Sequence, residues 1–267
     1  VEYLLGLSPF ILVCLGGLFV WLGTSLGAAS VFFIRSPQRK ILDISLGFAA
    51  GLMLSASFFS LLLPAIEIGS TQGQIVWIAP VIGFIFGVAF IKVLDLSIPH
   101  LHAMGNKPYI EGSKSKLKRS TLLVLAIIIH NIPEGLAVGV AFASIEANNI
   151  VGLAGAISLT IGIAIQDFPE GLAVSFPLLK EGNSKWKAFV IGQLSGFVEF
   201  LSAIIGFVAV YFIQGLLPYA LSFAAGAMIF VVIEELLPES QNNQHNELAT
   251  LSTLAGFVLM MFLDLVF

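Results

Sequence analysis

Two six-residue stretches concentrate the groups in this chain that could do chemistry: His130-Asn131-Ile132-Pro133-Glu134-Gly135 and Gln166-Asp167-Phe168-Pro169-Glu170-Gly171. Helical residues four apart share a face, so His130 stacks with Glu134 and Gln166 with Glu170. Asn131 and Asp167, turned by about 100 degrees, reach the next position around the helix. Each stretch becomes a strip of nitrogen and oxygen donors. Pro133 and Pro169 lack an N–H and press against the carbonyls of Ile129 and Ile165, so a kink is expected where the polar groups gather. Gly135 and Gly171 are expected to let the two helices approach closely.

The donor set points to a divalent cation. A fourth apolar-flanked acid, Glu199, lies in Ser195-Gly196-Phe197-Val198-Glu199-Phe200. With Glu134, Asp167 and Glu170 it makes four formal negative charges, which two divalent ions neutralise and one does not. No Lys or Arg lies between Arg119 and Lys180, or between Lys187 and the C-terminus, so the neutralising charge must come from outside the chain. Histidine, amide and carboxylate ligands suit Zn²⁺, Fe²⁺, Mn²⁺ or Cd²⁺ better than Cu⁺, and a nitrogen ligand disfavours Ca²⁺ and Mg²⁺. The competing reading has protonated acids and amides bonding helix to helix. It suits any one of these residues; six in register with two prolines favour metal.

The elements that must position these residues are membrane spans. Apolar residues make up 58% of 267, charged residues 10%, and the mean hydropathy is +1.01. A bilayer is the solvent for such a chain. The formal net charge of -4 and the lack of a basic domain argue against nucleic acid as a partner. Cys14 stands alone, so no intramolecular disulfide forms and no thiolate knuckle binds metal. Apolar segments of about the 20 residues needed to cross lie at roughly 8–34, 41–66, 75–98, 120–144, 150–179, 186–213, 219–238 and 249–267. The first has no basic stretch before it and reads as a span, not a signal peptide. All basic residues but Lys92 fall in alternate links: Arg35, Arg39 and Lys40; Lys107, Lys114, Lys116, Lys118 and Arg119; Lys180, Lys185 and Lys187. Basic loops stay in the cytoplasm, which puts both termini outside it in a multi-pass cell membrane protein. Lys92, near the inner end of span 3, is expected to snorkel.

The spans repeat. Phe48-Ala49-Ala50-Gly51-Leu52-Met53 and Leu62-Leu63-Pro64 in span 2 match Phe223-Ala224-Ala225-Gly226-Ala227-Met228 and Leu236-Leu237-Pro238 in span 7. Gly83-Phe84 leading to Leu94-Asp95-Leu96 matches Gly256-Phe257 leading to Leu263-Asp264-Leu265, with a gap of about one helical turn. Five spans, an odd number, separate the copies, so they must face opposite ways, the inverted-repeat plan of many secondary transporters. The expected fold is an all-α integral membrane protein of eight spans in a 3+2+3 arrangement. Repeats 1–99 and 186–267 flank the ligand-bearing pair 120–179, and 100–119 is a cytoplasmic loop.

These residues resemble the ZIP (Zrt/Irt-like) family of zinc and iron transporters, in particular its bacterial GufA-like branch. The likeness covers the whole length, and His-Asn-x-Pro-Glu-Gly is its most specific motif. Gln166 departs from the His that opens the second motif in many members. The resemblance implies one ion on Met53, His130, Glu134, Gln166 and Glu170. A second would use Asn131, Glu134, Asp167, Glu170 and Glu199, with Glu134 and Glu170 bridging. For Met53 the competing role is apolar packing. The resemblance also implies a homodimer and an elevator-like motion of spans 1, 4, 5 and 6 against 2, 3, 7 and 8.

The remaining polar groups sit at two mouths. Ser60, Glu67 and Asp264 mark an entrance; Asp95, His100, His102, Glu234 and Glu235 mark an exit, although His100 and His102 also suit a solvated loop. The function expected is import of Zn²⁺ or Cd²⁺, as cargo and without a catalytic cofactor. The rivals are an intramembrane metalloprotease, which would want H-E-x-x-H and an open metal position, a selective channel, and a proton-coupled exporter.

Overall fold

Where water is excluded, every backbone N–H and C=O must be satisfied within its own segment, so the apolar runs have helix as their outlet. The structure is a computed structural model that describes residues 4, 6–34, 38–71, 75–102, 109–111, 119–145, 150–241 and 245–267. Its eight long apolar helices are α1 (Pro9–Ala29), α2 (Arg39–Thr71), α3 (Ile78–Ser97), α4 (Arg119–Ala143), α5 (Ile150–Lys180), α6 (Lys185–Tyr211), α7 (Leu217–Gln241) and α8 (Asn246–Val266). The chain is a multi-pass membrane protein whose spans are all helical. Its strands among the described residues are two of three residues each: β1 (His100–His102) pairs antiparallel with β2 (Tyr109–Glu111) in the link between α3 and α4. The outward faces carry exposed Phe86, Ile205, Val258 and Phe262, as lipid contact requires.

Four small-xxx-small pairs decide which helices touch. Gly23 and Gly27 of α1 lie against the backbone of Ala164 and Phe168 in α5. Gly47 and Gly51 of α2 meet Ala249 and Thr253 in α8; Gly83 and Gly87 of α3 meet Tyr219 and Phe223 in α7; Gly135 and Gly139 of α4 meet Glu199 and Ala203 in α6. A side chain at any of these glycines would collide with a backbone carbonyl, so each pair packs at a separation that only glycine permits.

Contact order along the helices gives their directions. In each of the four pairs the partner number rises with the glycine's own, so the two helices run parallel. By contrast, Phe10 and Trp21 of α1 and Phe32 just beyond its end meet Phe207, Phe197 and Phe189 in turn, so α1 and α6 are antiparallel. Ser158 meets Asp264 while Gly162 meets Met260, which makes α5 and α8 antiparallel. Gly69 lies near Pro218 and Arg39 bonds Glu239, so α2 and α7 are antiparallel too. Odd-numbered helices therefore all run one way and even-numbered helices the other. One face of the bundle carries Arg39, Lys180, Lys185 and Lys187, and is called the basic face below; the opposite face carries Glu67 and Asp264.

The repeat packs reciprocally, with one change of register from the sequence match. Gly51 of α2 meets Thr253 and Phe257 of α8, as Gly226 of α7 meets Phe84 of α3. The residue that plays Gly256's part against Phe48 and Leu52 is Gly87, against Phe223 and Ala227, and not Gly83. Moving the match by one turn to Gly87 removes the gap before Asp95 and Asp264. In both copies the helix widens into a π-helical stretch just before its proline, over Ser57–Leu62 (6 residues) and Val232–Leu236 (5 residues). A proline presses on the carbonyl four residues back, and the wider turn makes room for it. The one-residue difference in length absorbs the one-residue slip between the Met53/Met228 and Pro64/Pro238 matches. The helices carrying Pro133 and Pro169 continue through their prolines.

The helices form two four-membered groups, α1/α4/α5/α6 and α2/α3/α7/α8, which meet mainly along α2–α5 and α4–α7. At the basic face the second group is clasped by Arg39 on Asp43 (2.8 Å) and Glu239 (3.1 Å), with His245 Nδ1 3.4 Å from Asp43. Lys92, near the C-terminal end of α3, ion-pairs with Glu234 of α7 at 3.4 Å.

Candidate metal centre

The two motifs do meet. His130, Asn131, Glu134, Gln166, Asp167, Glu170 and Glu199 are all buried, none exposed by more than 5%. Gly135 and Gly171 achieve this in a different way from the expected contact between α4 and α5. Gly135 seats α4 on Glu199 and Ser202 of α6, and Gly171 seats α5 on Thr24 and Ala28 of α1. Each motif glycine docks its helix on a third element, and α4 and α5 are held side by side as a consequence.

One carboxylate oxygen each from Glu134, Asp167 and Glu170 lie within 4.8 Å of one another. Two full charges at that spacing repel by about 3 kcal/mol even at an effective dielectric near 20. Three such pairs cost roughly 10 kcal/mol, comparable to the whole stability of an ordinary domain. The trio therefore demands protons or a cation. One amide holds a member of the trio and the other holds the fourth acid: Gln166 Nε2 donates to Glu134 Oε1 at 2.6 Å, and Asn131 Nδ2 donates to Glu199 Oε1 at 2.6 Å and to the Ser195 carbonyl at 3.0 Å.

Those bonds leave a specific set of lone pairs. Asn131 Oδ1, Glu134 Oε2, Gln166 Oε1, both oxygens of Asp167, Glu170 Oε2 and Glu199 Oε2 are buried with no hydrogen-bond partner among the described residues. Packing polar groups for stability would pair such atoms, because each one left buried and unmet costs about 1–3 kcal/mol. Seven unmet oxygens on six residues of α4, α5 and α6, three of whose carboxylates crowd together, have the chemistry of a hard or borderline cation's ligands and suit a divalent ion.

Thr24 of α1, absent from the sequence expectations, donates to Glu199 Oε1 at 3.3 Å. Gly171 and Gly196 both lie against Thr24 and leave it room. With Asn131 and Thr24 both on Oε1, Glu199 presents only Oε2. A hydroxyl in an apolar span is a weak signal by itself; the small residues facing it are what identify it.

His130 lies apart from the trio's tightest point: its Nε2 is 2.7 Å from Glu235 Oε1 on α7. This contact separates the adjacent acids of α7. Glu235 turns to His130, and Glu234 turns to Lys92. Asp95 is buried on α3 at the basic face. Met53 is fully buried in the apolar cluster that also contains Leu159, Ile163 and Met260. Towards the opposite face, Ser60 Oγ donates to both oxygens of Asp264 at 2.8 and 2.9 Å, while Glu67 is exposed at the end of α2. The side chains of His100 and His102, together with Arg35, Lys107, Lys114, Lys116 and Lys118, lie outside the described residues.

Known zinc transporters resemble this chain over most of its length. The sequence model of the ZIP Zinc transporter family matches residues 105–264. The human zinc transporter ZIP11 is 39% identical over 97% of this chain and 98% of its own length. Zinc transporter ZIPB of Bordetella bronchiseptica is 40% identical over 94% of this chain and 79% of its own, and zinc transporter GufA of Myxococcus xanthus 36% over 91% and 93%.

Proposed function

This chain belongs to the ZIP zinc transporter family, and from that premise we propose that it carries zinc, or a divalent cation of similar chemistry, across the membrane through the buried cluster on α4, α5 and α6. The observation that carries the reading is the set of seven unmet oxygens on three crowded carboxylates and on Asn131, Gln166 and Glu199. Such a site is stable when a divalent cation replaces protons, and it lies in a part of the chain without Lys or Arg. Membership of a transporter family sets aside the protease.

The finer reading is a binuclear site. One ion is held by Met53, His130, Glu134, Gln166 and Glu170, the other by Asn131, Glu134, Asp167, Glu170 and Glu199. Four acids at the centre favour two divalent ions, Zn²⁺ or Cd²⁺ first and Fe²⁺ or Mn²⁺ after. Transport is inward, by alternating exposure. The basic face is cytoplasmic, with both termini outside the cytoplasm and 100–119 inside. Repeats 1–99 and 186–267 flank 120–179 in a single transport domain, and two copies form a homodimer. Cations enter past Ser60, Glu67 and Asp264 and leave past His130 and Glu235, with Asp95, Glu234, His100 and His102 at that mouth. The short His130–Glu235 distance supports the exit, because an ion on His130 has Glu235 within reach.

The test is uptake of Zn²⁺ and Cd²⁺ into sealed proteoliposomes by the parent chain, Glu134→Ala and Glu170→Ala. Saturable uptake by the parent and its loss in both variants are expected. Equal uptake by all three would sink the site assignment.

A further inference from the structure

Two side-chain bonds between described residues tie α1/α4/α5/α6 to α2/α3/α7/α8. One is His130 on Glu235, beside the metal centre; the other is Ser158 on Asp264, far from it. The second involves none of the proposed ligands. Ser158 is fully buried, and its Oγ donates to Asp264 Oδ1 at 2.9 Å. The same carboxylate also accepts from Ser60, but Ser60 and Asp264 belong to one group, so Ser158 is the member that reaches across. About 13 Å of α5 separate Ser158 from Asp167. Leu159, Ile163 and Met260, all of one apolar cluster, fill that interval. The face bearing Asp264 is therefore closed by an apolar layer with one polar fastening at its rim.

We propose that Ser158 is a positioning residue for transport: its hydroxyl latches α5 to Asp264 and thereby stabilises the state closed towards that face. The inference rests on the transport reading above. While the latch is made, Asp264 spends lone pairs on two serines. When α5 withdraws Ser158, Asp264 regains an acceptor site for an arriving cation, so opening and capture occur together. A hydrogen bond to a charged group, made in one state and lost in the other, shifts the balance between them roughly tenfold or more.

The test reads accessibility and uptake separately. In a Cys14→Ser background, Ile163→Cys places a reporter beneath the latch, and an impermeant thiol reagent is added from the side on which Asp264 lies. With Ser158 intact, labelling is slow. Adding Ser158→Ala is expected to speed it roughly tenfold, whereas Ser158→Thr, which keeps the hydroxyl, leaves it slow. Zn²⁺ uptake by Ser158→Ala and Ser158→Thr without the reporter shows whether each folds and transports. Equal labelling rates in the alanine and threonine backgrounds, with uptake present, would overturn the latch. Absence of uptake in the parent chain as well would instead count against the transport reading.

Discussion

The carboxylate of Glu199 shows how much one residue's chemistry depends on its neighbours. Two donors, Asn131 Nδ2 and Thr24 Oγ1, hold Oε1 and leave Oε2 as the free lone-pair donor. Partners of this kind typically change metal affinity by tenfold or more when removed. Thr24→Val keeps the shape and deletes the donor. Titration of the purified protein with Zn²⁺ should show roughly tenfold weaker binding, with affinity restored in Thr24→Ser. Binding by Thr24→Val as tight as the parent's would show that Thr24 merely packs. At this scale most of the centre was legible in the two motifs, since residue type and four-residue spacing survive folding unchanged. Thr24 was not, because its importance comes from α1 lying in the groove of Gly171 and Gly196, a contact between segments far apart in sequence.

At the scale of the element, glycine spacing sets the pairing of helices. Gly139 of α4 lies on the backbone of Ala203 in α6, whereas Gly155 of α5 has open space around it. Gly139→Ala must push two helices apart, and overpacking of this kind costs about 1–3 kcal/mol. Gly155→Ala gains up to about 1 kcal/mol of helix propensity. Thermal unfolding in detergent should therefore show a lower midpoint for the first variant and an unchanged or higher one for the second. Equal midpoints would remove the packing argument. The same spacing was visible in the sequence at Gly23/Gly27, Gly47/Gly51, Gly83/Gly87 and Gly135/Gly139, but a spacing does not name its partner helix. The π-helical stretches were foreshadowed only by the repeated Leu-Leu-Pro, because a proline announces a disturbance without saying how the helix relieves it. Pro64 and Pro238 are preceded by widened turns; Pro133 and Pro169 sit in helices that continue through them.

For the whole molecule, the alternating helix directions and the single basic face combine into one topological prediction. An epitope tag placed after Phe267 should be detected by antibody on intact cells, and one inserted within 112–118 only after permeabilisation. The reverse pattern would invert the proposed direction of every step from entrance to exit. What the sequence determined by itself was local: eight apolar lengths, the charge asymmetry of their links, the repeat, and a ligand strip on each of two helices. These follow from composition and periodicity, which need no partner. Tertiary structure decided which third helix each motif glycine docks on, that Glu235 turns to His130 while Glu234 turns to Lys92, that Gly87 takes Gly256's place, and that Ser158 bridges to Asp264. Each of these depends on contacts between segments far apart in the chain, and a helix's own periodicity says which face is buried without saying against what.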